Sequence, residues 1–215
     1  QAEKLCEQYF YALPGKYRTT FSETIMKIDL QLKIADLKAP IERFWDRSGE
    51  TILAIEKNFD ASKGAPVFTV NGKYTTRGWT EWTQGFQFGS SLLQFDATGD
   101  ERFLTVAKKN IIERMAPHLT HAGVHDHGFN NISTYGNLLR LMKEGKLERN
   151  SAERNLYELA LKVSGAVQAM RWTTIPTGGY IYSFNGPHSL FVDTVRSCRI
   201  LLASHALGHV LQGEN

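Results

Sequence analysis

Cysteine is nearly absent from this sequence. Cys6 and Cys198 are the only two in 215 residues, and they stand far apart. They are free to pair, but the fold is not one stapled by a dense disulfide framework. No stretch reaches the roughly 18 consecutive apolar residues of a membrane span, so no membrane partner is expected. An excess of one charge is missing too. The chain carries 25 Lys and Arg against 22 Asp and Glu, a net charge of +3, with the basic residues scattered among acids. Without a basic block interleaved with aromatics, nucleic acid is not an expected partner. There is no Walker loop, no Gly-x-Gly-x-x-Gly and no Gly-x-Ser-x-Gly, so nucleotide chemistry and the serine-nucleophile elbow have no basis here. The chain opens at Gln1, with no initiator Met and no signal peptide. That fits a mature secreted or periplasmic protein, fits a shortened chain equally well, and leaves the cytoplasm open.

What is present is ordinary globular composition, 42% hydrophobic and 22% charged. Residues 1–40 read as an irregular or loosely helical lead-in ending at Lys38-Ala39-Pro40. From Pro40 to Asn58 the apolar spacing predicts a helix. Residues 59–78 read as a loop, with a hairpin signalled by Asn71-Gly72 between β-formers. A second helix is expected from Trp82 to Ala97, closed by Thr98-Gly99. Asp100 caps a third, running to about Ala116. After a loop over 118–129, a fourth runs from about Ile132 to Lys143. A fifth opens at Ser151 and ends near Trp172. Residues 173–188 read as a loop, and a sixth helix is expected from about Ser189 to Leu207. Six helices without strand alternation predict an all-α domain of antiparallel helical pairs, with long and short connections alternating.

Two acids stand out by context. Asp126 lies in Val124-His125-Asp126-His127-Gly128-Phe129, a loop dense with imidazoles. Asp193 follows Leu190, Phe191 and Val192, one turn into the expected sixth helix. An inward-facing acid in that setting is partly desolvated, its pKa raised toward that of a general acid. The bland alternatives are a helix-dipole acid for Asp193 and an Asx-turn residue for Asp126. His118, His121, His125 and His127 fall within ten residues. Zinc can use His-x-His, but no His-Glu-x-x-His helix accompanies it. The reading preferred is no metal: one or two imidazoles orient Asp126 or meet a substrate carboxylate, and the rest are surface residues. Trp79, Trp82, Tyr180, Tyr182 and Phe184 sit near loops, where aromatic faces suit sugar rings. Each of them can equally be core filling. Asn131-Ile132-Ser133 matches a glycosylation sequon, a pattern short enough to arise by chance.

Three segments in order resemble the unsaturated glucuronyl hydrolases, glycoside hydrolase family 88. Trp82-Thr83-Gln84-Gly85-Phe86-Gln87-Phe88-Gly89 followed by Thr98-Gly99-Asp100-Glu101 is similar to the family's Trp-Thr-x-Gly-Phe-x-x-Gly and Thr-Gly-Asp-Glu. His125-Asp126-His127-Gly128-Phe129 is similar to its His-Asp-x-Gly-Phe. Phe191-Val192-Asp193-Thr194 is similar to its apolar-apolar-Asp stretch. The resemblance covers residues 41–215 and implies the first half of an (α/α)6 toroid, with the remainder supplied by a longer chain or a second segment. Half a toroid would expose a large apolar face. By position, Asp193 would be the general acid/base and Asp126 the second essential carboxylate. Trp82 would stack on the sugar, with His125 beside it. The implied substrate is a lyase-cut, glycosaminoglycan-type oligosaccharide, hydrated at the C4=C5 double bond of its unsaturated uronic acid, with no metal or organic cofactor. Gln84 stands where many members have Asp, Gln87-Phe88 replaces a more usual Trp-containing pair, and His127 takes an often apolar position. An unsaturated rhamnogalacturonyl hydrolase, a non-catalytic carbohydrate-binding protein on the same scaffold, and a His-cluster metal protein are the competing expectations.

Overall fold

The computed structural model describes residues 31–78 and 81–212. The chain divides into two units, one ending at Ile41 and one running from Glu42. In the first, the described part is a turn at Ile34–Leu37 and the opening residues of helix α1 (Lys38–Asn58). The expected lead-in over 1–40 otherwise lies outside the described residues, as do Cys6 and Trp79.

The second unit is mostly helical. Its core is carried by α2 (Gln84–Thr98), α3 (Glu101–Arg114), α6 (Asn137–Lys143), α7 (Ser151–Ala169) and α9 (Arg199–Ala206). Three short helices complete it: α4 (Ala116–Leu119), α5 (His127–Asn131) and α8 (Thr194–Ser197). In α2 the buried positions Phe88, Leu92 and Phe95 follow helical spacing and meet Phe103, Ala107 and Ile111 of α3. Leu138, Leu141, Tyr157, Leu161 and Ile200 close the same cluster from α6, α7 and α9. Each large apolar side chain removed from water there contributes on the order of 1.5–3 kcal/mol. The α2–α3 junction is as the sequence predicts. Gly99 ends α2 at φ 71°, and the Asp100 side chain accepts from the Arg102 amide 3.0 Å away. On α1, the Trp45 carbonyl accepts from Gln94 Nε2 of α2 at 2.9 Å.

Several expectations are corrected. The helical course begins where expected, but Trp82 lies in a single 3-10 turn, Glu81–Thr83, that runs directly into α2. The fourth helix starts as a wide π-turn, Ile132–Gly136, before α6. Residues 173–188 are not simply a loop: β3 (Trp172–Ile175) pairs antiparallel with β4 (Gly178–Ile181). Gly179 is needed there, because a Cβ would lie 2.1 Å from Trp172 Cζ2. The first hairpin forms as expected, β1 (Phe68–Val70) with β2 (Lys73–Thr75), turning through positive φ at Asn71 and Gly72. The sixth helix begins late. The Ser189 carbonyl accepts from the Ser183 amide at 2.7 Å, and the Phe191 amide donates to Ser183 Oγ at 2.7 Å. Those commitments hold 189–191 out of the helix, so Asp193 is the residue that precedes α8 rather than one turn inside a helix. The sequon is also spatially closed. Asn131 is fully buried, and its Nδ2 donates to the His118 carbonyl and to Ser164 Oγ.

Among the described residues, no helix is long and apolar enough to cross a membrane.

Candidate functional site

Two close backbone crossings bring the motif residues together. The Asn130 side chain of α5 accepts from the Gly85 amide at 2.8 Å, and a Cβ on Gly85 would lie 2.3 Å from Asn130 Cα. On the other side of α5, a Cβ on Gly128 would meet the Ser197 carbonyl oxygen at 2.3 Å and Ser197 Cα at 2.6 Å, and the Gly128 amide donates to Ser197 Oγ at 3.2 Å. Glycine at these two positions lets α5 press against both α2 and α8. Trp82, Asp126 and Asp193, distant in sequence, thereby reach one place. The Gly128 contact is backbone on backbone, so it cannot be relieved by a side-chain rotation. Gly128→Ala is expected to destabilise the fold by roughly 1–3 kcal/mol, read as a lower midpoint in urea unfolding.

The result is a cleft of about 240 Å³ whose lining includes Trp82, His125, Asp126, Phe129, Phe184 and Asp193. All four residues singled out for the site, Asp193, Asp126, Trp82 and His125, therefore line one cavity. Trp82 is 42% exposed, with its ring edge-on to Phe86, which stacks on Phe129. Phe184, in turn, lies 5.4 Å from the His125 ring. Of the other loop aromatics, Tyr180 donates to the Pro187 carbonyl, and Tyr182 lies beneath the Arg171 guanidinium.

His125 is the hub. It is almost wholly buried, and its Nε2 lies 3.5 Å from Asp126 Oδ1 and 3.5 Å from Asp193 Oδ1. Two carboxyl groups facing one nitrogen favour the tautomer with the proton on Nε2. Nδ1 then accepts from the Thr194 hydroxyl at 2.7 Å. Thr194 Oγ1 accepts in turn from Ser183 Oγ at 2.9 Å, and Ser183 Oγ accepts from the Phe191 amide. This buried chain fixes both the plane and the tautomer of the imidazole. Burial pushes the His125 pKa down, partly opposed by the charge on Asp193, which keeps the ring neutral near pH 7.

Both carboxylates precede a helix, and neither caps it. No side-chain cap hydrogen bond is made by Asp126 at α5 or by Asp193 at α8. Asp193 Oδ1 is buried and makes no hydrogen bond, while its side chain as a whole is 35% exposed at the cleft. A helix-capping role accounts for neither group. Asp193 is thus partly desolvated, as expected, but the deeper burial is that of Asp126. Leu190, Phe191 and Val192 are 62%, 54% and 93% exposed and shield Asp193 little. Asp126 is buried, and burial together with the Asp193 charge pushes its carboxyl up to about 6.

The other imidazoles have separate places. His118 and His121 line the cleft, and His118 Nε2 lies 2.7 Å from Gln84 Oε1. This contact gives Gln84, one of the departures from the family pattern, a partner at the site. His127 is not a surface residue: it is buried behind the cleft, its Nδ1 2.8 Å from Ser164 Oγ and its Nε2 3.1 Å from the His121 carbonyl. Burial lowers its pKa to about 4. Among the described residues, no three His, Cys, Asp or Glu side chains form a group able to hold a metal ion.

Sequence reasoning missed Thr194, Ser183 and Arg171. Arg171 is 2% exposed and gathers the walls of the site, donating to the carbonyls of Ala122, Tyr182, Ser183 and Phe184. Its only sequence signal is a charge closing an amphipathic helix, which reads as surface. The chain matches no protein-family model, no curated protein and no solved structure.

Proposed function

We propose that this chain carries the acidic half-site of an unsaturated uronyl hydrolase of the glucuronyl type, built on part of an α/α toroid. The reading rests on one observation above all: Asp126 and Asp193 meet the same nitrogen of a buried, oriented histidine at the wall of an aromatic-lined cleft. Separately, the sequence motifs that resemble glycoside hydrolase family 88 supply exactly the residues that converge here.

The proposed substrate is a lyase-generated oligosaccharide ending in a 4,5-unsaturated uronic acid, glycosaminoglycan-type or related. Trp82 offers a face for the sugar ring. The two acids share one proton at mildly acidic pH, held at rest by Asp126 because burial favours its neutral form. That proton passes to Asp193, the acid more open to the cleft, which delivers it to C4. The C4=C5 electron pair forms the new C4–H bond, and the ring oxygen stabilises the cation left at C5. A water oxygen bonds to C5, and its proton returns to the Asp193 carboxylate. The hemiketal then opens by breaking C5–O5, and the hemiacetal at C1 releases the partner sugar as an alcohol. The net change is the addition of one water. One carboxyl group performs both proton transfers, each a general acid–base step. His125, in contact with both acids, holds their separation.

Two tests follow. An unsaturated uronide linked through sulfur, a poor leaving group for direct displacement, should lose its double bond at a rate close to that of the oxygen-linked sugar. Consumption of the oxygen-linked sugar alone would point to ordinary glycosidic displacement. Thr194→Val keeps the shape and removes the hydroxyl that faces His125 Nδ1. It is expected to lower kcat on the order of tenfold to a hundredfold, as a catalytic group loses its orientation, while Thr194→Ser retains most of the rate. Equal rates for Val and Ser would remove the orienting role.

A further inference from the structure

A uronic acid brings its own negative charge to a cleft that already holds two acids. Among the described residues, the cleft lining includes no Lys and no Arg. Arg171, the nearest buried cation behind it, has its guanidinium taken up by four backbone carbonyls. Arg196 is placed differently. It stands three residues beyond Asp193, on α8. Its guanidinium carbon lies 4.6 Å above the ring of Phe129, a cleft residue, and its NH2 group is 3.9 Å from Asp193 Oδ2. That separation is too long for a hydrogen bond. The side chain remains 59% exposed, so its donors are open to an incoming group.

Resting on the uronyl hydrolase reading, we propose that Arg196 is the cation that binds the substrate carboxylate at the rim of this cleft and selects a uronate over a neutral sugar. Phe129 supports the flat face of the guanidinium and leaves its edge donors free. A carboxylate can take two parallel N–H donors from that edge, which fixes the orientation of the ring as well as its charge. With C6 held there, C5 and C4 of the same sugar are carried toward Asp193, whose Oδ2 already faces Arg196. The guanidinium also offsets the repulsion between the arriving carboxylate and the acid pair.

The test uses ligands that cannot react, so it does not depend on turnover. Methyl β-glucuronide and methyl β-glucoside differ at C6 only, carboxylate against hydroxymethyl. Calorimetric titration of the unaltered protein should show the glucuronide binding about tenfold or more tightly, as expected for a charge-assisted bidentate contact. Arg196→Gln should bring the two sugars to parity, and Arg196→Lys should keep part of the preference. Equal binding of both sugars by the unaltered protein, binding of neither, or a preference that survives Arg196→Gln overturns the inference. Turnover of an unsaturated disaccharide, measured in the same samples, separates the two claims. Glucuronide preference without turnover keeps Arg196 and discards the hydrolase reading. Turnover with an unchanged preference in Arg196→Gln does the reverse.

Discussion

Asp193→Asn is expected to abolish hydration of unsaturated uronides while the protein stays folded. The amide matches the carboxyl in shape but neither donates the proton to C4 nor accepts one from water. The loss should be about a thousandfold or more, within the range for removing a positioned acid–base group. Stability should change little. Asp193 caps no helix, its Oδ1 makes no hydrogen bond, and the cationic Arg196 beside it is 3.9 Å away and largely exposed. Near pH 4, where Asp126 keeps its proton in both folded proteins, their unfolding free energies should therefore agree within roughly 0.5 kcal/mol. A second consequence follows from the coupling of the pair. Since the Asp193 charge helps to raise the Asp126 pKa, its removal should move the Asp126 titration downward. Carbonyl-stretch infrared spectroscopy across the acidic range reads that shift. Substantial turnover in the variant would remove Asp193 from the chemistry.

The second large effect is a gain of stability on mutating the other acid. Burial holds the Asp126 carboxyl at about 6 in the folded state, above its ordinary value of about 3.9. Between those two values the folded protein keeps a proton that the unfolded chain has released. Stability therefore falls as pH rises through this window, and above it the cost of a buried carboxylate is borne in full. At 1.36 kcal/mol per pH unit, the cost near neutrality amounts to about 3 kcal/mol. Asp126→Asn cannot ionise. It should melt roughly 5 °C or more above the parent near pH 7 and close to the parent near pH 4. His127, with a pKa pushed down to about 4, contributes with the opposite sign: stability rises with pH up to its ordinary value of about 6.5. That contribution is common to both proteins and cancels in their difference. The same substitution should cost about a hundredfold or more in turnover. A variant that is more stable and less active identifies Asp126 as a group kept for chemistry. A lower melting temperature near pH 7 would contradict the burial argument.

The parts of this fold that the sequence announces are those with local chemistry. Thr98-Gly99-Asp100 marks a helix end and a helix start within three residues, and both lie where that signal puts them. Asn71-Gly72 marks a two-residue hairpin turn, and both residues adopt positive φ. The late start of the last helices is different. Nothing near Ser189 shows that its carbonyl will be claimed by the Ser183 amide, or that the Phe191 amide will be claimed by Ser183 Oγ. Those are tertiary commitments that an apolar run such as Leu190-Phe191-Val192 does not announce. The second hairpin was hidden for a similar reason, since Gly178-Gly179 reads as loop until Trp172 is seen lying across Gly179. At the site, the ionisable and aromatic residues were legible because their types are unusual in their settings. Their division of labour was not. Which acid is buried depends on Val192 standing 93% exposed and on α5 pressing between α2 and α8. The hydroxyl chain through Thr194 and Ser183 joins residues that no spacing rule connects.

The most direct measurement is the near-UV absorbance of the conjugated double bond. The protein is incubated with unsaturated disaccharides from chondroitin, heparin, hyaluronan and rhamnogalacturonan, each alongside the Asp193→Asn variant. The account predicts loss of absorbance with at least one of the glycosaminoglycan-derived sugars and none with the variant. Loss confined to the rhamnogalacturonan sugar would move the substrate class to pectin-derived uronides. Absorbance that persists with all four sugars, in a protein that still binds them, would contradict the assignment of hydration to this acid pair and leave a carbohydrate-binding cleft without chemistry.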